Sequence, residues 1–308
     1  MFENYLGVIF AMCASVLWSI TVVLIKPISN NVSPFLINPI KNSIGFILFV
    51  MLFIASGIPL WYDSLYKYEY AIILFSGSLG MFLGDTIFIY ALNKIGANRV
   101  AIVDAFSPVV IFSYSILLLP NQHLNFIQII GFMITIIGLL ILAYEKDYED
   151  IDYKIKRFGI LLVLCAMFCT GFGVVYLKTV LNRINESGYD IKLNLWVTAF
   201  RLIPGVILSW ILFLFQKNKH QLIKPLKIKK NIIPLLIASF IGPFLALGCW
   251  ILGYAFIDKP SLTSIIGPTS VIFIVLLSWL FLKESLTKLR VISTACVFIG
   301  VLLATMNL

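Results

Sequence analysis

From its first residues the chain is a succession of continuous apolar runs separated by short polar links. A hydrocarbon slab of about 30 Å takes roughly 20 residues of helix. Ten runs of that order fit, near residues 5–25, 35–57, 70–92, 99–120, 124–143, 157–178, 194–215, 232–256, 261–282 and 288–306. The apolar stretches do not alternate with polar positions, which excludes a transmembrane β-barrel. No link exceeds 16 residues, so no soluble domain is inserted. The expected fold is all-α: a polytopic membrane protein of ten transmembrane helices.

The pattern also repeats within itself. At a shift of 152, Gly7 aligns with Gly159, Cys13-Ala14 with Cys165-Ala166, Val22-Val23 with Val174-Val175, and Lys26 with Lys178. At 160, Lys41 meets Arg201 and Gly45 meets Gly205; at 164, Gly84 meets Gly248 and Tyr90-Ala91 meets Tyr254-Ala255. At 162, Val109 meets Val271 and Gly138 meets Gly300, and Ser270 stands where Pro108 does. The offset drifts in or near loops, which predicts two five-helix repeats, 1–150 and 151–308. Five is odd, so the second repeat enters the membrane from the opposite side. Inverted repeats of this kind are a construction of alternating-access transporters, with the substrate between the halves.

These marks bring a family into view. The five-plus-five plan resembles the EamA family of the drug/metabolite transporter superfamily. The resemblance rests on Trp18 in the first helix, Lys41 and Arg201 early in the second and seventh, Tyr90-Ala91-Leu92 and Tyr254-Ala255-Phe256 ending the third and eighth, and the LFLKESL turn, Leu280 to Leu286, after the ninth. One departure is Gln122 in the first half where the second has Glu284. The resemblance implies a transporter fold and a small metabolite, with amino acids the leading class.

Composition agrees with the pattern: 308 residues are 61% hydrophobic and 12% charged, and mean hydropathy is +1.02. Cys13, Cys165, Cys169, Cys249 and Cys296 all fall inside apolar runs, as packing residues rather than disulfides or a metal site. The first run lacks a basic leader and has an internal counterpart, so it reads as a structural helix rather than a signal peptide. Links after odd-numbered helices, with the charged helix ends beside them, hold 16 Lys and Arg, against 5 after even-numbered ones. Six of these lysines lie in Gln216 to Lys230. The positive-inside rule makes that side cytoplasmic and both termini external, in a bacterial inner (plasma) membrane. A basic link of this kind has a second reading, contact with anionic lipid or nucleic acid, but orientation is the preferred one and nucleic acid is not an expected partner.

Ionisable groups inside a bilayer are costly unless paired or solvated, so their depth carries information. Call face A the side of the links after helices 1 and 3, and face B the other. Lys26 ends the first run at face A, and at 1.5 Å per residue Lys41 lies about 9 Å, Asp85 about 10 Å and Asp104 about 8 Å below that face, with Arg99 near its lip. The second half repeats only the cations, Lys178 and Arg201 toward face B. Asp85 aligns with Cys249 and Asp104 with Ile266, so face B carries no intramembrane acid. Each residue has a structural alternative. Lys26 and Lys178 suit helix C-termini or snorkel, Asp85 balances Lys41, Asp104 pairs with Arg99, Tyr90 and Tyr254 suit an interface, and Trp18 serves as plain packing.

The expected function is secondary transport of a carboxylate- or phosphate-bearing metabolite, with acid–lysine pairs gating face A and apolar and aromatic packing closing face B. Lys178 and Arg201 are then left to an anionic group. Substrate-binding or gating residues are Trp18, Lys26, Lys41, Asp85, Tyr90, Asp104, Lys178, Arg201 and Tyr254. Protons are a candidate coupling ion through Asp85, and the direction, export included, stays open. The rival readings are an intramembrane lipid-modifying enzyme and an accessory subunit. His123 and His220 are the only histidines and lie in links on opposite sides, and no metal spacing, GxSxG or P-loop is present. No catalytic residue, metal or cofactor is expected.

Overall fold

The computed structural model describes residues 2–104, 106–120, 124–143, 152–186, 188, 190–217, 219–267, 269–282 and 288–305. Among these the chain is all helix and no strand. We number the membrane helices α1 (Phe2–Ser29), α2 (Pro34–Ser56), α3 (Lys67–Gly96), α4 (Ser107–Leu118, preceded by a helical stretch at 97–104), α5 (Phe126–Ala143), α6 (Tyr153–Asn185), α7 (Ile191–Leu214), α8 (Lys229–Phe256), α9 (Thr269–Leu282, preceded by the short helix Pro260–Ile266) and α10 (Lys288–Thr305). Six of them are long and apolar enough to cross a membrane unaided, and the shorter apolar helices account for the other four predicted spans.

The boundaries have local causes. Pro34 opens α2, where a missing N–H costs nothing. Gly57 closes it in the left-handed region at φ 63°, returning its N–H to the Phe53 carbonyl. Asp190 caps α7 by accepting from the backbone N–H groups of Lys192 and Leu193. α6 runs on to Asn185, well past the expected end at 178, so Lys178 sits two turns inside a helix rather than at its C-terminus. The added turns bury Val180, Leu181 and Ile184 against protein, which lets the helix continue beyond the lipid-matched length.

Helix packing follows the repeat. α1 packs on α8 and α9 while α6 packs on α3 and α4; α2 lies against α7, and α5 against α10. Every pairing between halves therefore has its image under exchange of the repeats. Two apolar cores result. One, toward face A, gathers Val22, Ile25, Ile28, Val32 and Leu36 with Phe213 and Leu235. The other, toward face B, gathers the repeat images Val174, Leu177, Val180, Ile184 and Trp196 with Phe53 and Ile73.

Two interruptions in the helices were hidden in the hydropathy. α3 and α8 each contain a seven-residue π-helix, Ser78–Gly84 and Phe240–Ala246, at matching places 162 positions apart. This register places Leu247, not Cys249, opposite Asp85, because each residue directly follows its π-helix. The fourth and ninth spans are also broken, between Asp104 and Ser107 and between Ile266 and Thr269. The breaks coincide with Ser107-Pro108 and, in the sequence, Gly267-Pro268. A proline removes a backbone donor and clashes with the preceding turn. The helix ends at both breaks keep the register of 162, which pairs Asp104 with Ile266, while the two prolines, Pro108 and Pro268, stand 160 apart.

Candidate functional site

Widened and broken helices inside a membrane are tolerated where they line a cavity or are covered by protein. Here both do. A cavity of about 210 Å³ lies between the halves, walled by α1, α2, the π-helices of α3 and α8, α6, and the broken spans. The wider π turns face it through Met81 and Gly84 from one half and Gly242, Pro243 and Ala246 from the other. Small residues let these turns approach their neighbours. A Cβ on Gly45 of α2 would lie 2.7 Å from Pro243, and one on its repeat image Gly205 of α7 would lie 2.7 Å from Met81.

Backbone polar groups loosened by a π turn need partners. The Met81 carbonyl accepts from Asn38 Nδ2 and Asn42 Nδ2, each at 3.0 Å. Asn38 Nδ2 also lies 2.9 Å from Thr86 Oγ1 and 3.1 Å from Ser209 Oγ, tying α2 to α3 and α7. At the α9 break, Ser15 Oγ lies 3.3 Å from the Ile266 carbonyl and Ser19 Oγ donates to the Ser270 carbonyl at 2.8 Å. Sequence reading passed over these residues, although Asn38 and Asn42 within an apolar run were a signal for buried polar contacts.

Of the nine predicted site residues, the structure brings Trp18, Lys41, Asp85, Asp104 and Tyr254 together on the cavity wall. Lys41, almost wholly buried, forms an ion pair with Asp85, of which 16% is exposed. Asp104 accepts from Ser107 Oγ at 3.3 Å across the α4 break. The side chain of Arg99, its expected partner, lies outside the described residues, as do Gln122, His123 and Glu284. Trp18 rests against Phe88 with ring centres 6.0 Å apart.

The other four lie off the wall. Tyr90 stacks obliquely on Phe35, with the Lys94 ammonium 5.4 Å from its ring centre. Lys26 is half-buried in the last turn of α1. Lys178 is fully buried, and its ammonium donates to the carbonyls of Tyr254 (2.7 Å) and Ile257 (2.8 Å), with Ala255 at 3.4 Å. Those carbonyls end α8, where the helix has no donors of its own. Lys178 thus caps the end of α8. Arg201 is also fully buried, 5.6 Å from the ring of Trp250, which lines the cavity.

Face B holds a pair that the charge pattern missed. Glu69, 1% exposed at the start of α3, forms an ion pair with Arg183 near the end of α6, with Oε2 to Nη2 at 2.6 Å. Glu69 fell just outside the apolar run drawn from residue 70, so face B does carry a buried acid. Beside it Trp61, Tyr70, Trp196 and Phe200 form an aromatic cluster. Trp196 stacks on Phe200 at 4.2 Å and donates to the Leu60 carbonyl at 3.1 Å. The link between α2 and α3 is thereby fastened to α6 and α7 of the other half.

Among the described residues, ten helices, exchanged pairings between halves and a largely apolar cavity between them that holds a few charged side chains define a polytopic membrane fold. The family model described as the EamA-like transporter family matches residues 5–144 and 157–306, one repeat each, and the chain belongs to that family. It is a membrane transporter of the drug/metabolite type. A protein crystal structure aligns over 98% of this chain and 99% of its own at a TM-score of 0.74 and 17% identity, a likeness of fold. No curated protein matches the chain.

Proposed function

We propose that the chain is a secondary transporter that moves a small carboxylate- or phosphate-bearing metabolite, amino acids foremost, by alternating access. The observation that carries this is the cavity between the two halves, with the Lys41–Asp85 pair and Asp104 on one wall and apolar cores toward both faces. Its volume lies below the roughly 300–1,000 Å³ of drug-sized pockets, which favours a small solute. Face B is held by Glu69–Arg183 and the Trp196 cluster; opening it means parting those contacts while the face A core closes.

Asp85 is the candidate site for proton coupling, because protonation would release Lys41. The basic link of residues 216–230 faces the cytoplasm in this reading, the membrane is a bacterial plasma membrane, and the repeats divide near residue 150. The test is counterflow in proteoliposomes against amino acids, nucleotides and organic anions, with and without a pH gradient. Accumulation of one class supports the reading. No accumulation, with lipid substrates modified instead, would replace it with an enzyme. Equal transport by Asp85→Asn without a gradient would remove the coupling role.

A further inference from the structure

Arg201 presents a problem that the protein does not solve. Its residue is 0% exposed, and Nε, Nη1 and Nη2 have no hydrogen-bond partner among the described residues. It lies ten residues into α7, about 15 Å from that helix's start at face B, too deep to snorkel to headgroups. A guanidinium does not shed its proton in proteins, and an uncompensated buried cation is strongly unfavourable. The repeat makes the gap explicit. Its image Lys41 has Asp85 as counter-ion, whereas the π-helix register puts Leu247 at the corresponding place. Asp85 is within electrostatic reach of Arg201, but its bonded partner is Lys41.

The surroundings are those of a receiving site. Trp250 lies over the guanidinium at 5.6 Å, and both Trp250 and Tyr254 line the cavity. Gly80, inside the π-helix of α3, is also close, since a Cβ there would come 3.2 Å from Nη2. The planar fork matches the two oxygens of a carboxylate in a bidentate pair. We infer that Arg201 is the subsite for the substrate's carboxylate, reached from the cavity past Trp250 and Tyr254. This deepens the transporter reading and rests on it. The substrate itself supplies the missing counter-charge, so that a carrier loaded with a carboxylate holds no unpaired cation at this level of the membrane.

The experiment measures thermal unfolding of the full chain in phosphatidylcholine nanodiscs, titrated with sodium acetate, acetamide or sodium chloride at constant ionic strength. Acetate should raise the midpoint saturably, while acetamide and chloride should not. Arg201→Lys should weaken the response at least tenfold. Arg201→Gln should abolish it while unfolding no lower than wild type without ligand, since it removes an unpaired charge rather than a structural bond. The inference is overturned if wild type does not respond to acetate, if chloride matches acetate, or if both variants respond as wild type does. Counterflow separates the two readings. A wild type that binds acetate but moves no solute defeats the transporter reading alone. A carboxylate solute carried with unchanged KM by Arg201→Lys and Arg201→Gln defeats the subsite alone.

Discussion

The ammonium of Lys178 lies 2.7 Å from the carbonyl oxygen of Tyr254, so a lysine inside α6 closes the open end of α8. A cation that hydropathy alone offers to the substrate is committed to backbone. Helix C-termini concentrate partial negative charge, and in a membrane no water replaces a lost donor.

Lys178→Met should therefore act on stability. Each carbonyl left without a donor costs about 1–3 kcal/mol, and the thermal midpoint in detergent should fall accordingly. Transport KM, measured where the variant is folded, should stay at the wild-type value. A raised KM with an unchanged midpoint would return Lys178 to the substrate.

The Lys41–Asp85 pair should show strong coupling. Removing one partner of a buried pair typically costs about 3–5 kcal/mol, because the other charge is left uncompensated. Asp85 has some exposure to the cavity, so the lower end is expected. Lys41→Met should lower the unfolding midpoint and the further change Asp85→Asn should restore much of it. Additive losses in the double-mutant cycle would mean that the two do not act as a pair.

Glu69 and Arg183 should control access from face B. A hydrogen bond to a charged group contributes about 1.5–3 kcal/mol, so Glu69→Gln should favour opening by about tenfold or more. The readout is thiol labelling of Ile73→Cys, a position 0% exposed one turn below Glu69, in a background without native cysteines. Labelling by a membrane-impermeant reagent should accelerate from the face B side only. No change in rate would show that the aromatic cluster alone holds this face.

Two glycines of α2 and α3 should respond in opposite degree. A Cβ on Gly77 would lie 2.1 Å from the Arg201 carbonyl oxygen, backbone that cannot give way, so Gly77→Ala should leave no folded protein. Gly57 has nothing within 4 Å, and its left-handed φ of 63° is the sole obstacle. Gly57→Ala should cost about 1 kcal/mol, read as a small drop in midpoint with transport intact.

Apolar run length and the paired marks Lys26/Lys178 and Lys41/Arg201 were enough to read ten helices and two repeats. They also placed Lys41, Asp85 and Asp104 in one outer third of the membrane, because depth along a helix follows directly from residue count. What failed was whatever depends on hydrogen-bond register. A π turn has the same hydropathy as an α turn, so Leu247 could not be told from Cys249 as the counterpart of Asp85. The contacts of Lys178 with the α8 carbonyls were not legible, because they depend on where α8 ends, not on α6. Glu69 was lost to a boundary drawn one residue too late.

The two apolar cores are repeat images of each other, Val22 and Ile25 answering to Val174 and Leu177. Their contributions to sealing either side nearly cancel, so the preference between inward- and outward-facing states is set by what the halves do not share. Those differences include the charged pairs, Lys41–Asp85 on one side and Glu69–Arg183 on the other, and the aromatic cluster around Trp196 at face B. Ionic strength and membrane voltage should therefore bias the resting conformation more than any conservative change in the cores.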